Sequence, residues 1–199
     1  TSDSAPTDRD AVNPLLVEVT RGAQVESRHR AALAVVDTKG KVVLAAGDHE
    51  RPVYARSAIK SLQAIALVES GAADAFDVSE AELALACASH SGEPRHVEAA
   101  TAWLARLGLS AEDLECGPQL PGYEPALIKL LASGGAATRV HNNCSGKHSG
   151  FLTLAKHLGV PTRGYVKYEH PVQQRILGVL EAMTGLDLGD APPEASSLI

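Results

Sequence analysis

Three short stretches of this 199-residue chain concentrate side chains able to do chemistry. The first is Arg56-Ser57-Ala58-Ile59-Lys60, a serine followed three residues later by a lysine where a helix is expected to begin. That spacing puts both side chains on one helix face, where a neutral lysine amine could take the serine proton as the hydroxyl attacks a carbonyl. Burial and neighbouring positive charge, here Arg56, favour the neutral amine. The positive end of the helix would also hold a developing oxyanion. The plainer alternative is a capping serine and a solvated lysine, since a four-residue pattern of this kind arises often by accident.

The second stretch, Cys87-Ala88-Ser89-His90-Ser91-Gly92-Glu93, follows an apolar, alanine-rich segment. Hydroxyls, imidazole and carboxylate gathered beside a glycine at a helix end suit an active-site loop. Ser89 could relay a proton there, and His90 or Glu93 could orient a substrate; Ser91 or Glu93 should in any case cap a helix starting at Pro94. The third stretch, His141-Asn142-Asn143-Cys144-Ser145-Gly146-Lys147-His148-Ser149-Gly150, has almost no apolar content, which argues for a loop rather than a core element. Its glycines permit tight backbone paths on which side chains converge. Cys144 and His148 are zinc ligands by type. A phosphate-binding loop is rejected, because the first glycine of that motif would fall on His141.

The elements that must position these stretches follow from periodicity. Residues 1–13 form a polar, Pro-containing lead without period, read as a flexible tail. Leu15–Thr20 reads as a strand, and Val25–Asp37 and Lys41–Gly47 as two extended runs around the turn Thr38-Lys39-Gly40. From Ser57 a helical stripe of Ile59, Leu62, Ile65, Ala66 and Val68 runs to Gly71. Ser79 and Glu82 form a capping box for a helix to about Ala86. Further helices are expected over Pro94–Leu107, Pro125–Leu131, Phe151–Leu158 and Pro171–Met183, with an irregular, Pro- and Gly-dense segment at Cys116–Tyr123. The stretch from Gly189 has no period. The fold class is therefore α/β of the α-rich α+β kind, an antiparallel β-sheet from N-terminal strands packed with helices, in one domain over 14–199.

Composition narrows the function. Lys and Arg number 18 against 24 Asp and Glu, a net charge of −6, so no field draws the chain onto phosphate backbones and nucleic acid is not an expected partner. No apolar run approaches the roughly 18 to 20 residues needed to cross a bilayer, and neither a membrane span nor a signal peptide is read. Three cysteines cannot all pair with one another, which favours the reducing cytoplasm. The 32 alanines favour closely packed helices, through which a homodimer could also form.

Taken together, Arg56-Ser57-Ala58-Ile59-Lys60-Ser61-Leu62-Gln63, Cys87 to Glu93 and His141 to His148, with Cys116-Gly117-Pro118 and His170-Pro171, resemble the L-asparaginase family typified by the inducible rhizobial enzyme. The resemblance covers about Pro14 to Leu188. It implies a fold like that of serine β-lactamases and glutaminases, and hydrolysis of L-asparagine to L-aspartate and ammonia. It implies Ser57 as nucleophile, Lys60 as its base and Ser89 as a member of a second Ser–Lys pair. It implies Cys144 and Lys147 as ligands of a zinc ion that helps place the substrate, with Arg56, Asn143 and His148 lining the pocket. A lysine ligand must be neutral, a state that the charge of a bound metal favours. Members of the family are longer, and their later part supplies a further cysteine ligand and the lysine that partners Ser89; Cys116, lying upstream, is set aside for the first role. The chain is accordingly expected to be the N-terminal portion of a longer domain, inactive or nearly so by itself.

Two other readings stand beside it. A penicillin-recognising or β-lactamase-like hydrolase shares the Ser-x-x-Lys element, but neither Ser-Asp-Asn nor Lys-Thr-Gly occurs in the chain. A non-catalytic metal- or amino-acid-binding fragment would keep the pocket loop and bind zinc without turnover.

Overall fold

A computed structural model describes residues 12–189. The expected N-terminal tail, apart from Val12 and Asn13, and the aperiodic end after Gly189 lie outside the described residues. The chain divides into two compact units, one up to Val53 and one from Tyr54.

The first unit is built from two antiparallel hairpins. Strand β1 (Leu15–Arg21) pairs with β2 (Gln24–Arg30), and β3 (Leu33–Val36) with β4 (Val42–Ala46). The turn between β3 and β4 falls where the sequence placed it. The Asp37 carboxylate accepts the backbone N–H groups of Lys39 at 2.8 Å and Lys41 at 2.9 Å, and Gly40 takes φ +78°, the left-handed backbone such a turn needs. The single extended run expected over Val25–Asp37 is interrupted after Arg30, where Ala31 N–H turns to the Pro14 carbonyl. The result is two separate two-stranded sheets rather than one.

The second unit is helical and carries all three chemical stretches. A 3₁₀ turn at Arg56–Ile59 leads into α1 (Lys60–Glu69), followed by α2 (Ala72–Ala75), α3 (Glu80–Cys87), α4 (Pro94–Arg106), α5 (Glu124–Ala132), α6 (Ser145–Leu158) and α7 (Pro171–Thr184). The α+β class therefore holds. The capping box forms as read: Glu82 N–H reaches Ser79 Oγ at 3.3 Å and Ser79 N–H reaches the Glu82 carboxylate at 2.9 Å. Glu82 also receives Arg106 in a two-pronged ion pair, both contacts 2.8 Å, which ties α3 to α4. Burial raises the Glu82 pKa, but the bonds from Arg106 and Ser79 outweigh it, and the net displacement is downward.

The main departure from the sequence reading is α6. The loop expected over His141–Gly150 ends at Cys144; helix begins at Ser145, and every residue from Ser145 to Ala155 is buried. Small residues explain how so polar a segment enters the core. A Cβ on Gly146 would lie 2.4 Å from the Leu85 carbonyl oxygen, so only glycine lets α6 approach the end of α3 this closely. Ser149 and Thr153 hydroxyls bond back to the carbonyls of Ser145 and Ser149, each at 2.9 Å, which satisfies them inside the helix. Around α6 pack α1, α3, α4 and α7, with Trp103, Leu104, Leu114, Leu152 and Ile176 fully enclosed.

Candidate active site

The site is organised by Lys60, the first residue of α1. Its side chain is buried, and Nζ lies 2.8 Å from the Ala88 carbonyl oxygen, 2.9 Å from Ser89 Oγ and 3.5 Å from the Asn143 carbonyl oxygen. The carbonyls can only accept, whereas the hydroxyl can do either. An ammonium group donates to all three; a neutral amine donates to the carbonyls and takes the Ser89 hydroxyl proton on its lone pair. Ser89 sits just beyond α3 on extended backbone and is exposed, so a hydroxyl in contact with a buried amine is reachable from solvent.

Ser57 and Arg56 lie on the 3₁₀ turn that precedes α1, both exposed. The Ser57 hydroxyl has no hydrogen-bond partner among the described residues, and only its carbonyl is engaged, by Lys60 N–H. The Lys60 amine is thus brought to Ser89, and no hydrogen bond joins that amine to the Ser57 hydroxyl. Arg56 has φ +49°, an uncommon left-handed conformation for a side chain of this size and the kind of local strain that clusters at functional turns.

The other residues singled out from sequence gather at the start of α6. Gln119 Oε1 accepts Asn143 N–H at 3.2 Å, and Asn142 donates to the Gly117 carbonyl at 2.8 Å, which stitches the Cys116–Tyr123 segment to the Asn143 loop. Cys144 is the half-buried N-cap of α6, and Lys147 is buried one turn on. Burial, together with the charge on Lys60, lowers the Lys147 pKa against the opposing pull of the two nearby thiols of Cys144 and Cys116. Its Nζ stands 5.5 Å from the centre of the Phe151 ring. Lys60 and Lys147 face one small pocket, closed by Gln63, Leu67, Phe151 and Leu154.

Two histidines stay neutral here. His90 accepts Gly92 N–H on Nδ1 at 3.1 Å, so its proton is on Nε2, 2.8 Å from Ser145 Oγ. Burial, then His96, Lys60 and His141, push its pKa down to about 4. His148 is 2% exposed, and burial followed by Lys147 and Lys60 pushes it down to about 3. Its Nδ1 lies 2.8 Å from the hydroxyl of Tyr165, a residue the sequence reading did not single out and that nothing local in Gly164-Tyr165-Val166 marks. Glu93 occupies the N-cap position of α4, where its N–H donates to His96 Nδ1 at 3.3 Å, and its carboxylate accepts the Ser91 hydroxyl at 2.8 Å instead of bonding the first helical N–H groups.

As a zinc site the donors fit in type. A thiol and an amine whose burial disfavours its charged form lie one turn apart, and Cys116, set aside on its place in the sequence, comes within electrostatic range of both. Burial raises the Cys116 thiol to about 11. Among the described residues, no three His, Cys, Asp or Glu side chains converge as a ready-made cluster, so these elements supply a partial donor set.

A buried amine in contact with an accessible hydroxyl, beside neutral imidazoles, is equipped to move a proton as an amide bond is broken, which is the business of a hydrolytic enzyme. The sequence matches the L-asparaginase II family over residues 17–192, and the chain belongs to that family of asparagine amidohydrolases. No curated protein matches it. Among the described residues no helix is long and apolar enough to cross a membrane.

Proposed function

We propose that the protein, in its full-length form, acts as an L-asparaginase of the inducible rhizobial type, hydrolysing L-asparagine to L-aspartate and ammonia by Ser–Lys chemistry. The observation that carries the reading is the buried Lys60 amine with Ser89 Oγ at 2.9 Å and two carbonyls around it. In the proposed mechanism Ser57 Oγ attacks the side-chain amide carbon while its proton passes to neutral Lys60. The amine is then an ammonium group that donates to all three acceptors, and Ser89 hands a proton on to the departing nitrogen, which leaves as ammonia. Water attacks the acyl-serine by the reverse route, regenerating Ser57. Arg56, Asn143 and His148 hold the substrate.

Zinc is part of the proposal, held by Cys144 and Lys147. When bound, it would supply a Lewis-acid contact that helps place the substrate. The charge balance and three free cysteines support a cytoplasmic protein without a nucleic-acid partner, and a homodimer through the alanine-rich helices completes the reading.

One observation favours a second reading in which the serines exchange roles. Ser89, not Ser57, is the hydroxyl in contact with Lys60, so Ser89 would be the nucleophile. Ammonia release from L-asparagine by wild type, Ser57→Ala and Ser89→Ala, with mass-spectrometric mapping of the acylated serine in quenched reactions, tests both. Acylation at Ser57 and its loss in Ser57→Ala is the expected result; acylation at Ser89 transfers the nucleophile there, and turnover undiminished in both variants removes the mechanism.

A further inference from the structure

The hydroxyl of Tyr165 has two neighbours, and their chemistry fixes its proton. Glu115 backbone N–H lies 2.7 Å away and can only donate, so the phenolic oxygen accepts there. The second neighbour is His148 Nδ1 at 2.8 Å. Were Nδ1 also a donor, the phenol's own proton would need a third acceptor, and among the described residues there is none. The arrangement that satisfies both the phenol and Nδ1 has Tyr165 donating to Nδ1, which puts the ring proton on Nε2. Nε2 has no partner among the described residues.

Tyr165 is itself held on every side. It is fully buried. The Glu115 carboxylate accepts the N–H of Gly164 at 2.6 Å and of Val166 at 3.4 Å, so one glutamate grips the backbone on both flanks while its own N–H grips the phenol. From α7, the buried Gln173 side chain donates to the Tyr165 carbonyl at 2.7 Å. The ring meets His148 and Phe151 edge-on, with interplanar angles of 71° and 69°. So many fixed contacts leave the phenol one direction in which to point.

We propose that Tyr165 is a positioning residue for His148: clamped by Glu115, its hydroxyl holds the imidazole as the Nε2–H tautomer and leaves that N–H to donate to an acceptor oxygen of the substrate. The role in substrate binding rests on the proposed function, in which His148 lines the pocket; the tautomer does not. A carboxylate or amide oxygen is the chemistry such a donor recognises, and the wrong tautomer would present a lone pair to it instead.

The experiment is long-range ¹H–¹⁵N correlation on the full chain with ¹⁵N-labelled histidine, the His148 signals assigned by their loss in His148→Gln. Wild type should show Nε2 protonated and Nδ1 bare, and Tyr165→Phe should populate both tautomers. An Nδ1–H tautomer in wild type overturns the proposal without recourse to any variant, and a tautomer unmoved in a folded Tyr165→Phe overturns it as well. With L-asparagine as substrate, loss of one oriented hydrogen bond should raise KM by about 3- to 10-fold and change kcat less. A shifted tautomer with unchanged KM overturns the substrate-facing half. If wild type releases no ammonia from asparagine but its tautomer responds to Tyr165→Phe, the asparaginase reading falls and the role of Tyr165 stands.

Discussion

Three glycines inside helices should respond to alanine in three different ways, and Gly146 is the decisive one. Alanine is the better helix former by about 1 kcal/mol, so local preference alone predicts stabilisation at all three. At Gly146 the new Cβ would fall 2.4 Å from the Leu85 carbonyl oxygen and 2.7 Å from its carbonyl carbon. Both are backbone atoms that cannot swing aside, and restoring an ordinary contact needs α3 and α6 to part by ~1 Å. Overpacking of this kind costs about 1–3 kcal/mol and at times more, so after the propensity gain Gly146→Ala should still destabilise by ~1–2 kcal/mol. The melting temperature should fall by about 2–8 °C. Because Ala88 and Ser89 follow within four residues of Leu85, just past the end of α3, the same displacement should draw both acceptors away from Lys60, and a misplacement of ~1 Å can lower turnover by on the order of 100-fold. At Gly150 the nearest atoms are side chains at 3.5–3.8 Å, and at Gly178 nothing lies within 4 Å. Gly150→Ala should be neutral or mildly stabilising, and Gly178→Ala should gain ~0.5–1 kcal/mol. Thermal unfolding by circular dichroism, paired with ammonia release, reads all three. If Gly146→Ala melts at or above Gly178→Ala, the close approach of α6 to α3 is wrong.

Lys60→Arg should abolish ammonia release with little loss of secondary structure, because a guanidinium stays protonated and cannot serve as base; retained turnover would remove Lys60 from that role. His90 should make the fold acid-sensitive. Its folded pKa of about 4 lies below the ordinary 6.5, so between those values the unfolded chain binds the proton and the folded one does not. Stability should fall as pH drops through this window, by ~3 kcal/mol for this residue, and denaturant titrations at pH 7 and pH 4.5 should show a smaller difference in His90→Gln than in wild type. Zinc supplied to chelator-free protein should be retained in elemental analysis and lost in Cys144→Ser; equal zinc in both would move the site elsewhere.

What could be read from the sequence was whatever is decided within a few residues. The Asp37–Lys41 turn and the Ser79–Glu82 box are satisfied by near neighbours, so their residue types were enough. Helix α6 was misread as a loop over Ser145–Gly150 because its polarity was weighed without its partners: Ser145 answers His90, His148 answers Tyr165, and Gly146 accommodates Leu85. Those partners lie far off along the chain. The nearness of Cys116 to Cys144 and Lys147 was hidden for the same reason. Spacing did pick out Ser57 and Lys60, but the residue that meets the amine is Ser89, because the lysine side chain extends away from its own turn toward the end of α3.

The three acceptors around Lys60 stand 28, 29 and 83 residues further along the chain. None can be assembled by a local turn or an isolated helix, and each demands that long intervening loops already be closed. A partly folded chain would carry the same serines and the same lysine, yet its amine would have neither carbonyl nor hydroxyl held against it. Whatever the amine does is thereby tied to the closed core: a perturbation that opens the packing of α1 against α3 and α6 would disperse the site even with every site residue intact.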